Sequence, residues 1–63
     1  MNDNTTTLLK KIENLEKAEI IRSLEETKGV ISHASLKLGI TERMMYYKMK
    51  KYGIRRNDVL KHQ

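Results

Sequence analysis

"LGITERMMYYKMKKYG", residues 38–53, decides the fold. Thr41 is a good helix N-cap, Gly53 is a good helix stop, and the residues between them predict a helix over about 42–52. At about 100° per residue, Met45, Met49 and Tyr52 fall within one narrow arc, while Arg43, Tyr47 and Lys50 lie opposite with Lys51 close by. Such a helix has two working faces. Met45 and Met49 pack inward, where flexible thioethers fill gaps, and Tyr52 caps them with its hydroxyl left to water or backbone. The other face combines planar hydrogen bonding, aromatic contact and positive charge.

Upstream, "VISHASLKL", residues 30–38, places Ile31, Ala34 and Leu38 on one side of a short helix. Ala34 and Ser35 are small enough to let another helix cross closely. Gly39 breaks this helix, Ile40 follows as a buried plug, and Thr41 opens the next. A three-residue connection whose first residue is glycine is the arrangement of a helix-turn-helix.

Before it, "TTTLLKKIENLEKAEIIRSLEETKG", residues 5–29, carries Leu8, Ile12, Leu15, Ala18, Ile21 and Leu24 at steps of three or four, which predicts a helix with one buried stripe. Thr5, Thr6 or Thr7 would cap a long version and Asn14 a shorter one. The firm part is expected over about 12–27, closed by Lys28 and Gly29. After Gly53, Ile54 tucks back onto the core and residues 55–63 form a basic tail expected to fray.

The chain of 63 residues holds one domain at most, and a core that small is marginal unless a second subunit adds buried surface. Leu8, Leu9, Ile12 and Leu15, with Ile20, leave apolar surface on the first helix that one monomer cannot cover, which points to a homodimer. With no Cys, neither a disulfide nor a thiolate metal site is available, and His33 and His62 lack ligand spacing. No run of about 18 apolar residues and no signal-peptide pattern exists, so a cytoplasmic location is expected, with no membrane partner.

Charge is divided unevenly. Residues 1–29 carry five Lys/Arg against six Asp/Glu, whereas residues 30–63 carry eight against two, so a polyanion would meet the second half. Catalysis has no support: Glu13, Glu16 and Glu19 read as a solvated helix face, and no nucleophile has a base at hand. There is also no GxxxxGK[ST] phosphate loop. No enzyme activity, cofactor, metal or small-molecule substrate is expected.

Residues 12–54 resemble the Fis-type helix-turn-helix in the "LEK…II..LEET" first helix, the small residues at 34 and 35, "LGI" at 38–40 and the closing "K.KKYGI". The resemblance implies an all-α, three-helix domain over 12–54, with 1–11 an N-terminal segment or extension of the first helix and 55–63 a flexible basic tail. Domains of this type occur as the nucleoid protein Fis and as the DNA-binding ends of NtrC-class, sigma-54-dependent activators. Gly39, Thr41, Arg43 and Tyr47 match the NifA branch, which typically reads G-M-T-P-R-Q-V-A-Y-R, and Lys48 takes the place of its basic residue. Val30 fits that branch too. The departures are Glu42 in place of Pro and Met44 in place of Gln.

This resemblance implies tethering of a larger activator to an inverted-repeat site on double-stranded DNA, with two recognition helices in successive major grooves. The ATPase of such an activator would lie outside this chain, which implies a fragment. Arg43 is the candidate for bidentate contact to guanine. Tyr47 and Met44 offer apolar contact to a thymine methyl, and Glu42 offers acceptance from a cytosine amine, although helix stabilisation explains Glu42 as well. Thr41, Ser32, His33, Lys48, Lys50 and Lys51 are candidate phosphate contacts, joined by Arg55 and Arg56 if the tail lies along the backbone. Lys37 reads as exposed and solubilising. Two other classes fit less well: an architectural DNA-bending protein like Fis itself, and a protein-interaction module using Met44, Tyr46 and Tyr47.

Overall fold

The N-cap expected at Thr41 forms: its hydroxyl accepts a hydrogen bond from the Met44 N–H at 3.1 Å. In the computed structural model, which describes residues 3–61 and the side chains of residues 7–61, this cap opens α3 (Glu42–Tyr52). It follows α1 (Asp3–Glu26) and α2 (Ile31–Leu38) and precedes α4 (Arg56–Lys61). The described residues contain no strand. Gly39 closes α2 in the left-handed region at φ 71°, a conformation that costs a residue with a Cβ, and the Ile40 N–H bonds back to the Ser35 carbonyl at 3.1 Å. The same closure recurs after α3, where the Ile54 N–H reaches the Met49 carbonyl at 2.8 Å and Ile54 turns inward.

All four helices contribute to one core: Ile20 and Leu24 from α1, Ile31 and Ala34 from α2, Met45 and Met49 from α3, and Val59 from α4, with Ile54 between the last two. Burying each of the larger side chains is worth about 1.5–3 kcal/mol. Ala34 and Ser35 are both buried, as their small size predicts for a close helix crossing. The buried hydroxyls are satisfied within their own helices, Ser23 donating to the Ile20 carbonyl and Ser35 to that of Ile31.

Three expectations need correction. First, α1 begins at Asp3, so Thr7 and Asn14 lie within the helix and neither caps it; the side chains of Thr5 and Thr6 lie outside the described residues. Second, the six-residue row is not one buried stripe. A three-residue step falls short of a full turn by about 60°, so the row from Ile12 to Leu24 winds around the helix. Leu24 is buried and Ile21 partly so, but Leu8, Ile12, Leu15 and Ala18 are exposed. The core takes Ile20 instead, at 1% exposure, which removes it from the set left for a second subunit.

Third, residues 56–61 form a helix rather than a frayed tail, making four helices in place of three. Val59 is buried and Leu60 partly so, and α4 packs against α1. A basic sequence with two apolar side chains at adjacent positions is too short to announce a helix alone, because its helicity depends on that contact. Residues 1, 2, 62 and 63 lie outside the described part. At ~1.5 Å rise per residue, α1 runs along most of the 42 Å long axis of the molecule, and the other helices cover only its C-terminal half.

Candidate nucleic-acid interface

The amphipathic pattern of α3 is realised in full. Met45 is completely buried and Met49 nearly so, while Glu42, Arg43, Met44, Tyr46, Tyr47, Lys50 and Lys51 are exposed. Arg43 makes no hydrogen bond or ion pair among the described residues, so neither Glu42 nor Glu26 engages its guanidinium. Tyr47 is 62% exposed, a large aromatic surface for a domain with so few aromatic side chains. Lys51 holds its ammonium 5.4 Å from the centre of the Tyr52 ring, a cation–π contact that leaves it at the surface.

Thr41, exposed at the start of α3, spends its side-chain oxygen on the Met44 N–H, and the Met45 N–H goes to the Thr41 carbonyl. The N–H groups of Glu42 and Arg43 form no turn or cap hydrogen bond and remain at the positive end of the helix dipole. Ser32 and His33 are exposed in the first turn of α2, a helix whose N-cap, Val30, supplies no side-chain hydrogen bond and whose first turn carries no acidic residue. The start of α2 thus has no carboxylate of its own, whereas Glu42 stands in the first turn of α3.

Lys48, expected among the phosphate contacts, points elsewhere. Its ammonium lies 2.7 Å from Glu16 Oε2 on α1, and its side chain is only 20% exposed. Tyr52, expected to turn its hydroxyl to water or backbone, donates it to the other Glu16 oxygen. The Lys48 ammonium first, then the Tyr52 hydroxyl, hold the Glu16 carboxyl below its usual pKa, and the same carboxylate pushes Tyr52 up to about 12. Glu16 is thus no solvated face residue: it ties α1 to the back of α3. Glu26 does similar work nearer the surface, pairing with Arg22 and Lys37, each at 3.2 Å, so Lys37 is exposed but partnered.

Leu8, Leu9, Ile12 and Leu15 stand 53–68% exposed on the half of α1 that the other helices leave uncovered. Among side chains not anticipated for the nucleic-acid face, Tyr46 is 56% exposed and sits one turn after Glu42 and one before Lys50. That spacing was visible in the sequence. The role of Glu16 was not, because its partners lie 32 and 36 residues away. Among the described residues no helix is long and apolar enough to cross a membrane, and no group of three or more His, Cys, Asp or Glu is placed to hold a metal ion.

Residues 11–52 match the family model described as bacterial regulatory protein, Fis family. The match spans most of α1, all of α2 and α3, and stops before α4. No curated protein and no solved structure matches the chain.

Proposed function

Since the chain belongs to the Fis family of bacterial regulatory proteins and is a DNA-binding helix-turn-helix domain, we propose that it reads a specific duplex site with α3 in the major groove. In this reading it is the DNA-binding part of a sigma-54-dependent activator of the NtrC/NifA class. The observation that carries the proposal is the division of α3 into a buried methionine face and an exposed face on which Arg43 has no partner. Gly39, Thr41, Arg43 and Tyr47 favour the NifA-like branch over a purely architectural protein.

Arg43 bonds guanine, and Met44 and Tyr47 meet thymine methyls or backbone, with Glu42 at the edge of the base contacts. Thr41, Ser32, His33, Lys50 and Lys51 fix the helix on phosphates. Lys48 contributes charge from behind, held by Glu16. Two copies joined through Leu8, Leu9, Ile12 and Leu15 place two α3 helices on an inverted repeat about one helical turn apart. The bound domain tethers an ATPase that acts on polymerase.

The test is binding of wild type and Arg43→Ala to an inverted repeat of TGT and ACA half-sites and to a scrambled duplex, at two salt concentrations. Wild type should prefer the repeat, and the variant should lose about 1–3 kcal/mol of that preference. Equal binding of both proteins to both duplexes, declining together with salt, overturns the reading in favour of an architectural backbone binder.

A further inference from the structure

Beside α3, on the flank that carries Tyr46, lies an open groove of about 480 Å³ lined by Ile31, Tyr46, Met49, Arg55, Arg56 and Asn57. It joins the first turn of α2, where Ser32 and His33 are exposed, to the start of α4. Arg55, Arg56, Asn57 and Tyr46 are its polar lining residues, and no Asp or Glu is among them. The groove on the other side of α4 differs: there Lys17 and Arg55 are mixed with Glu25 and Asp58. The groove beside Tyr46 is thus lined by basic and neutral residues alone, with Arg55 shared between the two grooves. At about 30 Å³ per water molecule, the volume accommodates a hydrated phosphodiester.

We propose that this groove grips a backbone phosphate of the duplex in whose major groove α3 lies, so that Arg55, Arg56, Asn57 and Tyr46 extend the DNA interface beyond the helix-turn-helix. The inference rests on the DNA-binding reading above and adds a part of the chain outside residues 11–52, where the family match ends. Its physical basis is the ordering of α4. Val59 is buried in the core, and the Arg56 side chain lies over Gly29, so α4 holds the two arginines beside α3 in place of a loose chain end. Arginine suits the task because its planar fork bonds phosphate oxygens in pairs. The contact adds affinity and salt dependence without reading sequence.

The experiment compares Arg55→Gln/Arg56→Gln with wild type and with Lys61→Gln, which removes a charge at the far end of α4. Each protein is titrated onto the inverted repeat and the scrambled duplex between 50 and 200 mM salt. One lost phosphate contact should make the plot of log affinity against log salt shallower by about 0.9, so the double variant loses roughly threefold less affinity over that range than wild type does. Its preference for the repeat should be unchanged, and Lys61→Gln should keep the wild-type slope. A wild-type slope in the double variant, or an equal change per charge in Lys61→Gln, overturns the groove while Arg43→Ala still reports on the base reading. Absence of wild-type DNA binding overturns both. Should the double variant unfold by circular dichroism, nuclear magnetic resonance on the wild-type chain decides: added duplex should shift the Arg55 and Arg56 side-chain N–H signals and Tyr46. Movement at Arg43 without movement there overturns the groove.

Discussion

Glu16 and Lys48, 32 residues apart in the chain, meet at 2.7 Å and fix the long first helix to the back of α3. Tyr52 joins them through its hydroxyl, so one carboxylate holds two turns of α3 at once. The half of α1 that carries the exposed leucines and the helix that carries Arg43 are thereby joined through side chains as well as through the core. Their relative position matters if two copies are to present their recognition helices at a fixed spacing.

Glu16→Gln should lower stability to urea by ~0.5–1 kcal/mol, the upper range for partly exposed ion pairs. Because the folded carboxyl has a lowered pKa, its contribution is complete above the unfolded Glu pKa and is lost as pH falls through the folded value. Wild type should therefore lose more stability than Glu16→Gln on acidification below about pH 4.3. Tyr52 runs the other way: its raised pKa means that its contribution is complete below about pH 10 and fades as pH rises toward its folded pKa of about 12. A tyrosine absorbance titration of Tyr52→Phe should lack the late phase that wild type shows. Identical acid profiles for wild type and Glu16→Gln would remove the carboxylate from this role.

Thr41→Ala removes the side-chain acceptor of the Met44 N–H and should cost ~1 kcal/mol, with Thr41→Ser recovering most of it. Both effects are measurable by thermal melts. Since the frayed residues would include Arg43, DNA affinity should fall along with stability in the alanine variant and return in the serine variant.

Val59→Ala tests whether α4 belongs to the fold. Val59 is 7% exposed, and removing two buried carbon groups at ~0.8 kcal/mol each should cost about 1.5 kcal/mol. A loose tail would give no change. Gly29→Ala probes the same packing from the other side: the backbone there has φ +82°, and a Cβ would meet Arg56 Cγ and Leu60 Cδ1 at 3.1 Å. It should destabilise by ~1–3 kcal/mol, more than Gly39→Ala, where the added carbon meets nothing within 4 Å.

Ile12→Glu places a charge in the exposed apolar row of α1, where Ile12 is 53% exposed in the single chain. Sedimentation equilibrium should show the variant as a monomer at concentrations where wild type is a dimer, while circular dichroism shows the same helix content. Binding to the full inverted repeat should weaken far more than binding to one half-site. A monomeric wild type would remove the row from this role and leave its exposure without a partner.

The bounds of α3 were legible because their signals are local: Thr41 caps through a residue three positions on, and Gly53 closes by its own backbone conformation. The two faces of α3 were legible for the same reason, since Met45 and Met49 are one turn apart and bury together. The candidate contacts at Arg43, Tyr47, Lys50 and Lys51 follow from that division. Lys48 did not, because its charge is the same as theirs and only Glu16, on a distant helix, turns it away.

Sequence alone determined which segments are helical in the middle of the chain, where they turn, and which side of α3 faces outward. Those properties depend on side-chain spacing, capping and glycine conformation over a few residues. Tertiary structure alone decided how far α1 is covered, choosing Ile20 over Ala18 and leaving Leu8 to Leu15 exposed. It also made a helix of residues 56–61 and drew Lys48 and Tyr52 to Glu16. The reason is physical: burial, and the partner a charge finds, depend on where other helices cross, which no spacing within one helix specifies.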